Sequence, residues 1–430
     1  MNILDRREFL RAAAAGGLFT TTLSARESTP TPTPSDLDQR ICGLLIGSAV
    51  GDALGGPIEF QDPVAIQRLP DPPHHWESDE RIDAAARSAT ATRLRLRPYQ
   101  TLRPVPESYG QWNVNSPAGT ITDDTRHKLV LLHALREAER RGAWPFGGRE
   151  MARAFLDWPS TTAVTAHPEY AVLAADWLEE WQLSARWVLG ERDLARARPP
   201  ERMWQGLPTC CGQMTSLPLA ALFAGRPEEA YRAAWHLGFF DNGWGKDLNA
   251  ALVAGVSVAL VTPVDPRSPA TAWQAIFSAI RSTDPFGYAR IRWSQRAVDR
   301  WMDFAQKSAR DAAGHPARMF AVWDVAFQET TKWEAQVPFV VALGSIVMAE
   351  YDPLCGLQLT QEWGWDTDSY CQLLAAFVGA LYGPGIFQSD WISAVKTRLR
   401  ADHGVDLDQE CALLSRLQRL AQRQALVEPS

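Results

Sequence analysis

The sequence predicts an all-α fold, a large single-domain orthogonal helix bundle with loop insertions. Apolar residues recur three and four positions apart through long runs rich in alanine and leucine, which is the period of helices that bury one face. No series of segments alternates apolar with polar residues, as the strands of a sheet would. The 430 residues are 46% hydrophobic and 22% charged, so the chain has the composition of a globular protein with a large core.

Seven segments carry the helical period most clearly. They cover residues 37–54, 125–141, 151–156, 218–223, 248–261, 337–350 and 370–381. Between the first two, residues 62–118 are rich in proline, arginine and histidine and have no sustained apolar period. We interpret them as a long insertion, and loops of this length are usually functional lids or disordered segments.

The N-terminal 25 residues predict a twin-arginine export signal. The motif RREFL at residues 6–10 precedes a short apolar stretch at 12–19, which is too brief to span a bilayer. We expect cleavage after Ala25, no stable membrane insertion afterwards, and a periplasmic or extracellular protein. Residues 26–35, rich in proline and threonine, are expected to form an extended spacer before a helical domain at 36–425.

The charge and the cysteines exclude several classes of protein. The formal net charge is −7, and removal of the signal leaves a still more acidic chain, so nucleic acid and anionic membranes are not expected partners. The six cysteines include no CxxC pair and are too few for a disulfide framework in so long a chain. We interpret them as buried thiols.

Two clusters of oxygen-bearing side chains each precede an apolar helix. One explanation is helix N-capping, because hydroxyls and carboxylates are favoured at helix starts. The other is a metal site, since six hard oxygen donors would suit Mg²⁺ or Mn²⁺ if the two helix starts meet. The residues alone leave both explanations open. The clusters consist of Thr122, Asp123 and Asp124, and of Asp366, Asp368 and Ser369.

A third unusual segment is GLLIGSAVGDALGGPIEF, residues 43–60, where glycine recurs at every fourth position from 43 to 55. Glycine inside a helix costs roughly 1 kcal/mol relative to alanine, so something must compensate. Close packing against another helix would do so. A crowded site beside Asp52 and Glu59 would also require closely approaching backbones, and the two explanations are compatible.

These three segments together resemble the ADP-ribosylglycohydrolase family. GSAVGDALGGPIEF is similar to the family's first block and GTITDDTR to its metal block. WGWDTDSYCQLLAAFVGALYG is similar to its last block, where the family has GGDTDT before a helix of small residues. The resemblance runs in order from about residue 36 to residue 385.

The resemblance implies a two-metal centre with Mg²⁺ or Mn²⁺ and a catalytic carboxylate, Glu59, beside it. Asp124 would be both a metal ligand and a catalytic residue, and the substrate would contact Asp52, Gly212, Asp241 and Trp365. The implied metal ligands are Thr122, Asp123, Asp124, Asp366, Asp368 and Ser369.

The chain departs from the family pattern on the substrate side. Trp365 replaces the second glycine of GGDTDT, Thr215 replaces an arginine after Met214, and Asp241 stands where relatives have a histidine. In relatives the last two regions hold the diphosphate and the distal ribose. A small-molecule or protein-linked ribosyl compound is therefore the expected substrate class, with its leaving group open.

The resemblance thus implies an exported, metal-dependent hydrolase of a ribosyl N- or O-glycosidic bond. Two alternatives remain open: a hydrolase of other nucleoside or nucleotide-sugar compounds, and a catalytically silent binding or structural protein on the same fold. For the aromatic side chains near the motifs, packing competes with ligand stacking or metal binding. The residues with these two interpretations are Trp112, Trp244, Trp363, Trp365, His127 and His133.

Overall fold

The computed structural model describes residues 34–56, Glu59, 117–142, 146–166 and 168–425. The predicted export signal, residues 26–33 of the predicted spacer, Trp112 and all but the last two residues of the predicted insertion lie outside these ranges. Within them the fold is all-α, as predicted, and no strand is formed. A single bridge pairs Thr209 with Glu334. No helix among the described residues combines the length and the apolar character needed to cross a bilayer.

The described chain forms a succession of α-helices, numbered here in chain order. The first nine are α1 (Pro34–Gly55), α2 (Asp123–Arg141), α3 (Gly148–Asp157), α4 (Thr162–Thr165), α5 (Pro168–Leu189), α6 (Cys211–Thr215), α7 (Leu219–Leu222), α8 (Pro227–Leu237) and α9 (Gly245–Ala259). The others are α10 (Pro269–Ser282), α11 (Ala297–Asp311), α12 (Pro316–Ala326), α13 (Gln336–Met348), α14 (Pro353–Glu362), α15 (Thr367–Tyr382), α16 (Ser389–His403) and α17 (Leu407–Ala425). Short 3₁₀ turns cover Trp158–Ser160, Pro200–Gly206, Tyr288–Arg290 and Pro384–Ile386.

All seven predicted helices are confirmed, each with ends within three residues of the prediction. Helix α1 begins at Pro34, so it takes in the last two residues of the predicted spacer. Helices α4, α5, α6, α8, α10, α11, α12, α14, α16 and α17 were not predicted.

Helices α1 and α15 pack against each other along a stripe of small residues. A Cβ added to any of the four glycines of α1 would lie 2.2 to 2.4 Å from a carbonyl oxygen of α15, which is closer than any side chain tolerates. Only glycine therefore permits this approach, which explains the fourfold spacing in α1. The facing pairs are Gly43 with Gly379, Gly47 with Ala375, Gly51 with Cys371, and Gly55 with Thr367.

The numbering of these pairs rises along α1 and falls along α15, so the two helices are antiparallel. The C-terminal end of α1, which carries Asp52, therefore meets the N-terminal end of α15, which carries Asp366 and Asp368. Both helices are buried almost throughout, and the apolar helices α9 and α13 are buried with them. The helix pair thus places polar groups of two distant segments deep inside the protein.

Candidate metal centre

The starts of α2 and α15 meet beside the end of α1. The Oγ1 atom of Thr122, the N-cap residue of α2, lies 2.8 Å from Oδ2 of Asp368 and 2.9 Å from Oδ1 of Asp52. Thr122 Oγ1 also accepts a hydrogen bond from the Asp124 N–H at 3.3 Å. The two clusters of oxygen donors that the sequence singled out are therefore one site in the fold.

Asp52 holds the first turn of α2 in place. Its Oδ1 accepts a hydrogen bond from the Thr122 N–H and its Oδ2 one from the Thr125 N–H, both at 2.9 Å. The carboxylate thereby satisfies backbone donors that a helix start leaves without intrahelical partners. Asp52 is fully buried, so these contacts support a positioning role. The prediction that it contacts substrate stays a prediction.

Five carboxylates form two overlapping clusters. Oxygens of Glu59, Asp366 and Asp368 lie within 4.8 Å of one another, and so do oxygens of Asp123, Asp124 and Asp368. Asp368 belongs to both clusters. Either cluster could hold a metal ion, since three carboxylate oxygens at this spacing are the ligand type that hard divalent cations prefer.

Capping explains Thr122 but not the carboxylates. Asp366 is the N-cap residue of α15, yet its side chain makes no capping hydrogen bond. The Oδ1 atom of Asp124 and the Oδ2 atom of Asp366 are buried without a hydrogen-bond partner among the described residues. An acid near a helix start gains only about 0.3–1 kcal/mol, whereas two ionised carboxylates about 5 Å apart repel by roughly 3 kcal/mol at an effective dielectric constant of 20. The donor set therefore fits a divalent cation better than it fits capping.

The electrostatics of the isolated chain agree with this conclusion. Burial, followed by the charges of Asp368 and the other neighbouring carboxylates, holds the pKa of Glu59 well above its usual range. Burial raises the pKa of Asp123, Asp124 and Asp366 as well, and that of Asp368 to about 7. The cluster thus carries more negative charge than its surroundings neutralise, and either protons or cations must offset it.

Lys128 is a cation that is fully buried beside the cluster, as is Arg126 on the same helix. Lys128, one turn along α2, donates from Nζ to the main-chain carbonyl of Asp124 at 2.9 Å. Burial lowers the pKa of Lys128, although Asp124 opposes this effect. Lys128 therefore binds the main chain of the first turn of α2. This contact leaves the carboxylate oxygens of Asp124 available for a ligand.

Ser369 completes the oxygen donors on the α15 side. Its Oγ donates to Oδ2 of Asp124 at 3.3 Å, and its N–H donates to Oδ1 of Asp368 at 2.9 Å. The Sγ atom of Cys210 lies 3.8 Å from Ser369 Oγ, so Cys210 borders the centre. Sequence reasoning assigned Cys210 no function, and its position just before the CGQM segment was the only signal available.

The predicted substrate-side residues Gly212 and Asp241 contact each other. The Gly212 N–H donates to Oδ1 of Asp241 at 2.8 Å, and Asn249 donates from Nδ2 to the other oxygen at 3.0 Å. Burial raises the pKa of Asp241 to about 7. Thr215 is fully buried and donates its hydroxyl to the carbonyl of Cys211. The Gly212 N–H is therefore already hydrogen-bonded to a carboxylate and is not available to a ligand. Thr215 carries no positive charge at the position where relatives have arginine.

Trp365 adopts backbone angles that favour glycine. Its φ is 68°, in the left-handed region, and the preceding residue Gly364 has φ 80°. A tryptophan in this region is strained, which explains why the family pattern has glycine at this position. The side chain is half-buried and Nζ of Lys332 lies 5.1 Å from the ring centroid. Trp365 therefore places a bulky aromatic side chain directly before Asp366, where a glycine would leave the backbone exposed to a ligand.

The other aromatic residues named from the sequence are either packed in the protein interior or partly exposed. Trp363 is fully buried and donates from Nε1 to Asp324 at 3.1 Å, in agreement with the packing interpretation. His127 is buried with its ring 4.1 Å from that of Trp181, and its Nδ1 lies 2.8 Å from the Asp123 carbonyl oxygen. Burial lowers the pKa of His127 to about 3, so the ring stays neutral. His133 is half-buried, and Trp244 lies apart from the centre on a partly exposed surface.

A large cavity is lined mainly by residues of the segment 194–207 and by Trp333, and none of the cluster carboxylates lines it. It has a volume of about 1110 Å³ and is lined by Trp204, Trp333 and the side chains of Arg198 and Arg202, among others. The Trp333 carbonyl accepts a hydrogen bond from the Cys210 N–H at 3.0 Å, so one residue of the cavity wall contacts the backbone of Cys210. The rings of Trp204 and Trp333 lie 5.8 Å apart, edge to face.

The fold and the site define an all-α protein with a buried carboxylate centre of the kind that binds divalent cations. The ADP-ribosylglycohydrolase family model matches residues 33–426, and the chain belongs to this family. A solved structure described as an "ADP-ribosylglycohydrolase-related protein complex" is similar in fold, with a TM-score of 0.51 and 16% identity over 90% of this chain and 99% of that one. No curated protein matches the chain significantly. Family membership supports a hydrolase of the ADP-ribosylglycohydrolase type.

Proposed function

We propose that the protein is a divalent-metal-dependent hydrolase of an N- or O-glycosidic bond to ribose, and that it acts outside the cytoplasm. The observation that carries the proposal is the sharing of Asp368 between two carboxylate clusters, one of which contains Glu59. If two divalent ions bind, one in each cluster, Asp368 would be available as a ligand to both.

The residues that would hold two Mg²⁺ or Mn²⁺ ions are those named from the sequence. When bound, such ions lower the pKa of a ligating water and bind hydroxyl oxygens of a sugar. Asp52 fixes the first turn of α2, so it orients Thr122 beneath the cluster. The proposed ligands are Thr122, Asp123, Asp124, Asp366, Asp368 and Ser369.

Glu59 is the proposed catalytic carboxylate. It is 8% exposed, more than Asp124, Asp366 or Asp368 but less than Asp123, which is half-buried. Burial and neighbouring carboxylates raise its pKa, which suits a group that accepts a proton from water and later returns it. Glycosidic cleavage passes through a cation-like transition state, and the adjacent carboxylates stabilise that positive charge.

The leaving group is proposed to occupy the cavity lined by Trp204 and Trp333. Aromatic rings at its wall can stack on a base or a sugar, and Arg202 can attract an anionic group. Trp204 and Gln205 both have positive φ angles, and this strained turn fixes the Trp204 side chain at the cavity wall.

A second candidate function, hydrolysis of unphosphorylated ribosyl compounds such as nucleosides, is favoured by one observation. Asp241 places a carboxylate on the Gly212 N–H, in the region where the resemblance expects a diphosphate. An ionised carboxylate repels phosphate, so Asp241 disfavours the diphosphate of ADP-ribose in that place. The two candidates share the metal centre and differ only in what the substrate carries beyond its ribose.

The test is a turnover screen on the purified chain with Mn²⁺ or Mg²⁺. ADP-ribosyl peptides, nucleotide sugars and nucleosides are incubated with the wild type, with Asp124→Ala and with Asp303→Asn, and ribose-containing products are separated by chromatography. We expect turnover by the wild type and by Asp303→Asn, an exposed surface variant, and none by Asp124→Ala. Tight Mn²⁺ binding with no turnover of any compound would instead favour a silent binding protein on the same fold.

The proposed location has a separate test. Replacement of Arg6 and Arg7 by lysine is expected to retain the full chain in the cytoplasm, because the arginine pair is the part of such signals that the export machinery reads. Cell fractionation of the two forms measures this. Equal export of both forms would overturn the proposal of twin-arginine export without affecting the proposed chemistry.

A further inference from the structure

Two cysteines from opposite ends of the described chain lie side by side. Cys42 is on α1, directly before the first glycine of the stripe, and Cys411 is on α17. Their Sγ atoms are 2.7 Å apart although 369 residues separate them in sequence. A disulfide bond is roughly 2.05 Å long, so the two sulfurs are within about 1 Å of bonding distance. All six cysteines are free thiols in the structure, and five of them are buried as the sequence predicted, whereas Cys42 is half-buried.

We propose that Cys42 and Cys411 form a disulfide that links the first and last helices of the domain. The inference rests first on the contact between the two sulfurs and is independent of the proposed function. Of the other cysteines, Cys210 has its Sγ beside Ser369 and Cys371 has its Sγ 3.0 Å from the Thr360 hydroxyl. Both of these thiols therefore contact hydroxyl groups.

The local environment favours reaction at Cys42. This residue is half-buried, whereas the other five cysteines are buried, so an oxidant reaches Cys42 first. The hydrogen bond to Cys411 lowers the pKa of the Cys42 thiol, and the nearby charge of Lys396 lowers it further. The same contact and burial raise the pKa of Cys411. Cys42 is thus the better nucleophile and Cys411 the resolving thiol.

The reaction balances with a disulfide oxidant of low molecular weight, such as oxidised glutathione. The Cys42 thiolate attacks one oxidant sulfur, which forms a mixed disulfide and releases one thiol. The Cys411 thiolate then attacks Sγ of Cys42, which forms the protein disulfide and releases the second thiol. The two cysteines lose two protons and two electrons in total, and the oxidant is reduced to two thiols.

The disulfide would stabilise the packing of α17 against α1, the helix that carries Asp52 beside the carboxylate clusters. Helix α17 already contacts α1 through the ion pair of Arg419 with Asp38 and α2 through that of Arg416 with Glu139. Both arginine side chains are half-exposed, so these pairs contribute little. A covalent link between residues so far apart in sequence restricts the unfolded chain strongly, and this is the main way in which disulfides stabilise proteins.

The experiment uses the full chain, first reduced with dithiothreitol and then equilibrated with oxidised glutathione. After denaturation, remaining thiols are alkylated with iodoacetamide and counted by mass spectrometry, and a tryptic digest is searched for linked peptides. We expect alkylation of four of the six cysteines and a peptide that joins Cys42 to Cys411 and disappears on reduction. The thermal midpoint of the oxidised chain should exceed that of the reduced chain by several degrees.

Matched variants distinguish the bond from general effects of thiol loss. Cys355→Ser, which alters a buried cysteine on α14, should keep the linked peptide and the response of the thermal midpoint to reduction. Cys42→Ser and Cys411→Ser should lose both. Alkylation of all six wild-type cysteines after oxidation, or a linked peptide that joins any other pair, would overturn the proposal. The wild-type peptide map decides the question even if a serine variant fails to fold.

Discussion

The Oδ2 atom of Asp368 lies 2.8 Å from the Oγ1 atom of Thr122, although 246 residues separate the two in sequence. The same hydroxyl is equally close to Asp52, and a hydroxyl carries only one proton to donate. Thr122 therefore cannot satisfy both carboxylates. Beyond this hydroxyl, Asp368 accepts from the Ser369 N–H at 2.9 Å, and its membership of both carboxylate clusters means that a proton or a cation must offset the remaining negative charge.

The first prediction concerns the shared carboxylate. Asp368→Asn removes a negative ligand from both clusters at once, so we expect affinity for Mn²⁺ to fall by at least roughly 100-fold at the two sites together. Isothermal titration calorimetry measures both affinity and stoichiometry. The matched control is Asp303→Asn, which removes an exposed carboxylate paired with Arg281 and should bind as the wild type does. Wild-type affinity for Mn²⁺ at either site in Asp368→Asn would contradict a shared ligand.

The second prediction concerns the glycine stripe. In Gly51→Ala the new Cβ would lie 2.4 Å from the Cys371 carbonyl oxygen and 2.7 Å from the Ala375 Cβ, so α1 and α15 must separate. We expect a loss of roughly 1–3 kcal/mol in the free energy of unfolding, and weaker Mn²⁺ binding, because the same approach places Asp52 beneath Thr122.

The control for this substitution is Gly385→Ala. No heavy atom lies within 4 Å of a Cβ at that position, and its φ is not in the left-handed region. Urea unfolding curves of the two variants provide the comparison. Equal stability of Gly51→Ala and Gly385→Ala would show that close packing of α1 on α15 does not require the glycine.

The sequence predicted seven helices of very different lengths and missed most of those that begin at a proline. Proline in the first helical turn is a recognised start signal, and it was available at five of the missed starts. At the site, each motif was recognised because it is local in sequence. Its geometry was not predictable, because Asp52 caps a helix start 70 residues away. The prolines concerned are Pro168, Pro227, Pro269, Pro316 and Pro353.

The substitutions that the sequence placed near the substrate also needed the fold for their interpretation. Trp365 looked like a bulky replacement for glycine, and only its φ of 68° shows that it also bears backbone strain. Asp241 looked like an exchange of one polar residue for another. Its contact with the Gly212 N–H depends on the packing of the segment before α9 against α6, which no local pattern encodes.

The third prediction concerns pH and metal-free stability. The pKa of Asp368 rises from its usual 3.8 to about 7 in the folded chain. Between these values the folded state holds a proton that the unfolded state releases, so this group's stabilising contribution is full below about pH 4 and is lost as the pH rises through 7. The loss is on the order of 4 kcal/mol for a shift of this size.

His127 acts in the opposite direction, because burial lowers its pKa to about 3 and acid therefore destabilises the folded chain. The readout is consequently the change in thermal midpoint when Mn²⁺ replaces a chelator, since His127 is common to both forms. We expect this increase to be several degrees larger at about pH 8 than at about pH 5, where the carboxylates hold protons. In Asp368→Asn the increase should be small at both values. An increase that does not depend on pH in the wild type would contradict cation binding by these carboxylates.

The last prediction concerns Asp241 and the choice of substrate. A Cβ on Gly212 would lie 2.1 Å from Oδ2 of Asp241, so the carboxylate is pressed against the backbone where the resemblance expects a diphosphate. With a pKa raised to about 7, Asp241 is ionised above neutral pH and opposes a phosphate there. Asp241→Asn removes this charge and keeps an oxygen for the Gly212 N–H. The amide of Asn249 can rotate to accept from the new NH₂ group, because its Oδ1 has no hydrogen-bond partner among the described residues.

We therefore expect the ratio of kcat/KM for phosphorylated over unphosphorylated ribosyl compounds to rise roughly tenfold in Asp241→Asn, equivalent to about 1.4 kcal/mol. Steady-state kinetics at about pH 8 on matched nucleotide and nucleoside substrates measure the ratio, with Asp303→Asn as the unchanged control. A ratio that stays at the wild-type value in Asp241→Asn would show that this carboxylate does not select against phosphate, and would leave the metal centre as the sole determinant of the reaction.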